Sequence, residues 1–321
     1  MGQWFARHGG YSCVSVWGKT VSKSIQSHHI RGLLITGIGG LALTWDIPLI
    51  RLSDGTPWSV LLARSGTTLV VSLTVWLLMR RFMRAAAPPL VPGRSGLVVA
   101  ALYGIGSVSF IAAVFNTTTA NLAFILAFNT MFAALLSWVF LGERPRPATF
   151  VAMGFMLFGI LLIVGEGISS GHLFGDAMAL CSALSLAAAI TVSRASGRNM
   201  GFTSLVAVTI PFLIACYVVS RIGFHIGQPV WILIDGGIIT PLSFFCLALG
   251  PRYLSGPEVA MFYLLETVLA PIWVWIIFSE TPSNQSLAGG TILVIALIAH
   301  SVWFLVKGRK PPADPMVEYP I

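Results

Sequence analysis

Residues 256–280, GPEVAMFYLLETVLAPIWVWIIFSE, decide the fold class, because they are apolar enough and long enough to cross a bilayer. A hydrocarbon core of about 30 Å takes roughly 20 apolar residues of helix. Glu266 stands near the middle of this stretch, where a carboxylate is far from water and costly to place. Acids at that depth are rare and mark functional sites. We therefore predict a membrane helix that carries a working carboxylate near its midplane.

The residues around Glu266 indicate an inward-facing, bendable helix. Glu258, Phe262 and Glu266 follow at spacing four, which places two acids and an aromatic ring on one helix face. Pro271 cannot donate a backbone hydrogen bond and leaves the carbonyl of Thr267 unpaired. We expect this face to point into the protein, with a weak point in the helix beside the acid.

The composition excludes an ordinary soluble domain, since 56% of the residues are apolar, 9% are charged and the mean hydropathy is +0.87. Such values are typical of a polytopic helical membrane protein. The four cysteines form neither a disulfide framework nor a metal-binding spacing. No Walker loop, nucleophile elbow, HExxH or Rossmann glycine series is present. We predict no enzymatic activity, no cofactor and no metal.

Ten apolar runs predict an all-α protein with ten transmembrane helices. They cover residues 32–50, 58–79, 97–115, 118–140, 147–165, 173–193, 202–222, 231–249, 254–278 and 285–306. With the N-terminus inside, sixteen of the 19 lysines and arginines fall on the cytoplasmic side, as the positive-inside rule requires. Topology thus explains the net charge of +8 without nucleic acid. We predict a multi-pass protein of the bacterial inner membrane with both termini in the cytoplasm.

The second half of the chain repeats the first. A shift of 137 positions aligns six pairs of residues: Asn121 with Glu258, Asn129 with Glu266, Thr130 with Thr267, Trp138 with Trp275, Glu143 with Glu280 and Pro145 with Pro282. A shift of 143 aligns Arg51 with Arg194 in the helices that open each half. Because each half has five helices, the second copy must be inverted in the membrane, which is typical of transporters.

We therefore predict two inverted five-helix repeats and a ligand site between them. The repeats cover residues 31–166 and 172–307, with a basic cytoplasmic tail at 1–30 and a second cytoplasmic tail at 308–321. In inverted-repeat transporters the ligand binds near the bilayer midplane, where the halves meet.

The helix endings FLGERP (Phe140–Pro145) and FSETP (Phe278–Pro282) resemble those of the drug/metabolite transporter superfamily, specifically of EamA-type ten-helix transporters. A glycine-bearing helix follows each ending, with Gly159 in one half and Gly289 in the other. The resemblance implies a central cavity between two halves and export of amino acids or other small metabolites. Ser279 departs from the pattern by replacing a glycine.

The glutamates in these endings have a structural interpretation. Glu143 and Glu280 lie at the predicted membrane surface, where a charge costs little. We expect each to cap or brace a helix end.

Glu266 is the predicted proton-coupling residue. No lysine or arginine is predicted at its depth, so burial favours its protonated form; the alternative is a permanently protonated acid bonded to Thr130, Thr267 or a tyrosine. Glu258 and His300 lie at similar depths near the inner face and predict a proton path to Glu266. The alternative for His300 is a packed hydrogen-bonding residue.

Substrate contacts are predicted around the same depth. Asn129 would face Glu266 across the pseudo-symmetry axis, either touching the substrate or bonding a neighbouring helix. The other candidates for the cavity wall are Trp45, Tyr103, Asn121, Phe128 and Tyr263.

Two further acids lie within predicted helices. Asp46 precedes Pro48, which predicts a bend in the first helix, and Arg64 of the next helix falls at a similar depth. We predict a buried Asp46–Arg64 ion pair that can act as a gate. Asp235 is expected near the outer end of its helix, reaching toward water, with a helix break at Pro241.

The sequence thus predicts a secondary active exporter of small organic metabolites, working by alternating access with proton coupling at Glu266. The alternatives are a passive facilitator or an uptake or exchange carrier of the same fold, and then a membrane sensor or enzyme. Expected partners are a small-molecule metabolite, protons and the lipid bilayer, with the protein a monomer or homodimer.

Overall fold

The computed structural model describes residues 30–82, 89–142, 144–145, 147–198, 200, 202–249 and 256–307. The described residues form helices and loops without a β-strand, apart from an isolated bridge between Gly55 and Ile226.

The helices are named α1 to α10 in chain order. They are α1 (Ile30–Leu52), α2 (Pro57–Phe82), α3 (Gly93–Asn116), α4 (Thr119–Leu141), α5 (Pro147–Ser170), α6 (Leu173–Ser196), α7 (Thr203–Ile222), α8 (the consecutive segments Pro229–Ile234, Asp235–Ile239 and Thr240–Leu249), α9 (Gly256–Phe278) and α10 (Asn284–Lys307). Within the described part of the chain, nine are long and apolar enough to cross a membrane, and α9 contributes the shorter apolar segment Leu265–Phe278. The chain is therefore a multi-pass helical membrane protein.

Five loops meet at one end of the helices. They are residues 53–56, 117–118, 171–172, 223–228 and 279–283. Gly227 donates its backbone N–H to the carbonyl of Asp54 at 2.9 Å, and Arg51 forms an ion pair with Glu280. We call this end, which the charge distribution predicts to face outward, the outer end.

Helices distant in the sequence pack in pairs: α2 on α7, α4 on α9, α5 on α10 and α3 on α6. The α5–α10 pair is held at a backbone crossing of Gly159 and Gly289. A Cβ added to either glycine would lie 2.5 to 2.6 Å from the carbonyl oxygen of the other. Only glycine fits this crossing, which explains the glycines that follow the two helix endings.

Two helices are irregular beside acids. A turn at residues 44–45 interrupts α1 directly before Asp46, at the place predicted from Pro48. In α8 a π-helical segment, Asp235–Ile239, begins at an acid and ends just before Pro241. π-Helical segments are rare and occur mostly at functional sites.

The predicted repeat mates α4 and α9 differ in regularity. α4 is interrupted at Phe128, immediately before Asn129. α9 runs without a break from Gly256 to Phe278, with Pro271 inside it. The weak point predicted at Pro271 is therefore not a break in this structure.

Candidate functional site

Arg64 of α2 is the centre of a buried ion cluster. Its Nη2 donates to both carboxylate oxygens of Asp46, at 2.7 and 2.8 Å, and its Nε donates to Oδ2 of Asp235 at 2.8 Å. Nη2 also lies 3.2 Å from Oγ1 of Thr240, and the guanidinium carbon lies 5.5 Å from the centre of the Phe110 ring. Groups from α1, α2, α3 and α8 thus converge on one guanidinium.

The cluster is closed to solvent and unbalanced in charge. Arg64 is 7% exposed, Asp46 4% and Asp235 0%. One guanidinium faces two carboxylates, and buried charges are stable only when they are paired and hydrogen-bonded. The Asp46–Arg64 contact expected from matched depths is present; its role as a gate stays a prediction.

The expectation that Asp235 reaches toward water was wrong. It does not reach toward water near the outer end but is fully buried against Arg64. The π-helical segment changes the direction of its side chain, and Gly236 lets the segment lie directly on α2. A Cβ on Gly236 would be 2.5 Å from the carbonyl oxygen of Arg64. Helix spacing alone cannot detect such a change of register, although the Gly236–Gly237 pair was a signal of irregular backbone.

Glu266 lies deeper than this cluster, close to a contact between α1 and α9. At 1.5 Å of rise per residue, it is about 18 Å from the outer end of its helix, whereas Asp46 is about 9 Å from the end of α1. A Cβ on Gly40 would lie 2.7 Å from the carbonyl oxygen of Phe262, one turn before Glu266. Asp46 and Arg64 lie within electrostatic range of Glu266.

Four polar groups near this depth have unfilled hydrogen-bonding capacity. Tyr263 of α9 lies within electrostatic range of Tyr103 of α3 and of Glu266. Asn129 lies on α4, which packs against α9. Each keeps some accessible surface, and none of their side chains makes a hydrogen bond within the described part of the chain. Free donors and acceptors among aromatic rings are what a small-molecule site offers.

An aromatic stack lies on the outer side of Glu266. The rings of Trp45 and Trp273 are 4.9 Å apart at 18°, and Nε1 of Trp273 donates to Oγ1 of Thr44 at 3.1 Å. Trp45 is 37% exposed. The stack joins α1 to α9 between Glu266 and the outer end.

Two predicted substrate contacts are packed away from Glu266. Phe128 is 2% exposed and meets the edge of Phe132 at 5.0 Å, because the interruption of α4 turns its ring into the core. Asn121 is 1% exposed, and its Oδ1 accepts a hydrogen bond from Oγ of Ser286. Both side chains stabilise helix packing in this structure.

The predicted proton path is described only in part. Nε2 of His300 lies 3.0 Å from Oγ1 of Thr149, so the histidine joins α10 to α5. This contact agrees with the packed alternative for His300. The side chain of Glu258 lies outside the described part of the structure, and the path stays a prediction.

Glu280 braces the outer end, as expected for a residue of its motif. Its Oε1 accepts the backbone N–H of Thr119 at 2.9 Å, which caps the start of α4. Arg51 pairs with Glu280 and donates to the carbonyl of Thr117 at 3.0 Å. The expectation for Glu143 lies outside the described residues.

A polar cavity of about 530 Å³ opens beside this brace. Its lining includes Arg51, Asp54, Asn116, Thr117 and His172. The cavity forms a vestibule at the outer end, remote from Glu266 along the helices.

Known proteins similar to this chain are transporters. Residues 30–165 match the EamA-like transporter family. The pseudopaline exporter CntI of Pseudomonas aeruginosa is 26% identical over 240 residues, which cover 72% of this chain and 82% of that protein. An uncharacterized transporter of Archaeoglobus fulgidus is 24% identical, covering 64% of this chain and 76% of the relative.

The fold has also been seen before. A solved crystal structure superposes with a TM-score of 0.61 at 15% identity and covers 87% of this chain and 99% of its own. At that identity the likeness shows the fold alone. The first half of the chain, residues 30–165, is thus similar to the EamA-like transporter family, and the relatives matched over most of their length are transporters, not enzymes.

Proposed function

We propose that this protein is a secondary active transporter that exports amino acids or similar small organic metabolites by alternating access, with proton coupling at Glu266. The observation that carries the proposal is the set of unsatisfied polar groups near the middle of α9: Tyr103, Asn129, Tyr263 and Glu266. A related protein exports pseudopaline, which supports export of a small organic molecule.

The proposed architecture is two inverted five-helix repeats, at residues 31–166 and 172–307, with ten transmembrane helices. The pairs α2–α7, α4–α9 and α5–α10 each join helices at the same position of the two repeats. Such pairing supports a pseudo-two-fold axis in the membrane plane. Both termini would then face the cytoplasm, and the membrane would be the bacterial inner membrane.

The contacts between α1 and α9 support alternating access. On the outer side of Glu266 these helices are joined by the Trp45–Trp273 stack and then by the Arg51–Glu280 pair. Opening toward the outside requires both contacts to break, while the other end closes. In this scheme the two repeats rock around the α4–α9 pair.

Proton coupling at Glu266 requires that the carboxylate binds either a proton or the substrate, but not both at once. A buried carboxylate is stable when a proton or a positively charged substrate group neutralises it, and each excludes the other. Return of the empty site therefore requires protonation, and substrate binding releases the proton. Movement of the proton or of the substrate down its gradient then drives transport of the other.

The test is transport by Glu266→Gln in proteoliposomes, with a substrate first identified by thermal shift among amino acids, amines, nucleosides and organic acids. Glutamine keeps the shape but cannot exchange a proton, so we expect substrate flux that no longer responds to an imposed pH gradient. Asp54→Asn, which alters an exposed acid of the outer end, should behave like the wild type. Wild-type rates and gradient sensitivity in Glu266→Gln would contradict proton coupling at this residue.

The alternative is a passive facilitator or an uptake or exchange carrier of the same fold. A facilitator has no need of a titratable acid at the depth of Glu266, which favours the coupled transporter. In the same assay a facilitator would show wild-type flux that is insensitive to the pH gradient.

A further inference from the structure

Asp235 is a buried carboxylate for which the transport site at Glu266 has no use. It begins the π-helical segment of α8 and is 0% exposed. Its Oδ2 accepts a hydrogen bond from Nε of Arg64 at 2.8 Å. Its Oδ1 is buried without a partner in the described part of the structure. An orphaned carboxylate oxygen in an enclosed site needs a physical explanation.

The surrounding charges do not balance Asp235. The π-helical segment packs against α1 and α2. From these helices the described charged groups that face Asp235 are Asp46 and Arg64. Glu266 of α9 adds a third acid within electrostatic range of the pair. If both aspartates were ionised, one negative charge would remain uncompensated in a site closed to solvent, at a cost of several kcal/mol.

The hydrogen bonds distinguish the two aspartates. Both oxygens of Asp46 accept from Nη2 of Arg64, at 2.7 and 2.8 Å, so neither is free. Asp235 has one engaged and one free oxygen, and the carboxyl groups of Asp235 and Asp46 lie within hydrogen-bonding reach. A proton on Asp235 can therefore be donated to Asp46, which turns a repulsive contact into a hydrogen bond.

The site around Asp235 is too tightly enclosed to bind any cation larger than a proton. Because Asp235 has no accessible surface, no space beside it admits an ammonium group or a metal ion. A proton adds no volume and removes the excess charge.

We propose that Asp235 is a second proton-binding site of this transporter, protonated while Asp46 holds Arg64 and deprotonated when Asp46 moves away. The turn of α1 at residues 44–45 lies next to Asp46 and provides the hinge for that movement. Once Asp46 has separated, Arg64 and Asp235 form a balanced pair, and the proton leaves for water that enters from the outer end. Only this release step rests on the proposed function.

The proton on Asp235 is tested by infrared spectroscopy of the purified protein, which needs no substrate. With isotope-labelled aspartate, the wild type at neutral pH should show a protonated carboxyl band that shifts with the label. The wild-type spectrum alone can overturn the proposal, because the absence of a label-sensitive band means that Asp235 is ionised.

Variants assign the band. Asp235→Asn should remove it, Glu266→Gln should retain it, and Asp54→Asn is the exposed control. Asp46→Asn should also remove it, because Asp235 then becomes the sole counterion of Arg64 and ionises. A band of unchanged intensity in Asp235→Asn overturns the site, and a band of unchanged intensity in Asp46→Asn overturns the coupling to Asp46. Since Glu266→Gln is read separately by transport, failure of coupling at Glu266 leaves this result unaffected.

Discussion

Removing Arg64 is the most direct perturbation of the buried cluster. Arg64→Met retains most of the apolar volume of the side chain but deletes the donors to Asp46 and Asp235, whose hydrogen bonds measure 2.7 to 2.8 Å. Removing one partner of a buried ion pair costs about 3–5 kcal/mol. We expect Arg64→Met to lower the free energy of unfolding by about 4 kcal/mol, because Asp46 is left without a counterion and Asp235 without its hydrogen-bond donor.

Asp46→Asn should lower the free energy of unfolding by less than Arg64→Met does. The guanidinium keeps Asp235 as a partner at 2.8 Å, so no positive charge is left alone. Loss of charge-assisted hydrogen bonds is worth about 1.5–3 kcal/mol. The double variant should lose less than the sum of the two single losses, with a coupling energy of about 1–3 kcal/mol.

The measurement is unfolding by a denaturing detergent in mixed micelles. The matched control is Arg221→Met, which alters an exposed arginine that lies on the Tyr217 ring at the end of α7. Its effect should stay within about 0.5 kcal/mol. Losses of unfolding free energy that are additive in the double-mutant cycle of Arg64 and Asp46 would show that the two residues do not interact. A loss for Arg64→Met no larger than that of Arg221→Met would refute a buried ion cluster.

The remaining predictions concern topology and a helix ending. Cysteines introduced at Ser169 and Ser283 should react with an impermeant thiol reagent outside intact cells, whereas one at Ala86 should not; protection at Ser169 or Ser283 would reject the inverted repeat. Ser279 has a φ of 56°, and its repeat mate Gly142 has 71°. Because a Cβ costs roughly 1–2 kcal/mol in this region and glycine loses more entropy on folding, Ser279→Gly should raise the free energy of unfolding by about 0.5–1 kcal/mol, and a lower value would count against strain at this position.

Local sequence properties determined the fold class, the family resemblance and the depth of each acid. Apolar length and the spacing of glycine, proline and charge indicate membrane helices directly, because the bilayer imposes a fixed thickness. Depth alone also predicted the contact between Asp46 and Arg64, since antiparallel neighbours bring residues of equal depth together. The position of Glu266 near the middle of α9 needed no tertiary information.

Side-chain direction was decided only by the tertiary structure. Asp235 begins a π-helical segment and Phe128 interrupts α4, so regular helix geometry does not predict which way either side chain points. The pairing of Arg51 with Glu280 joins residues 229 positions apart, and no local pattern encodes such a contact. Apolar length is a local property of the chain, whereas register and partner choice depend on which helices pack together.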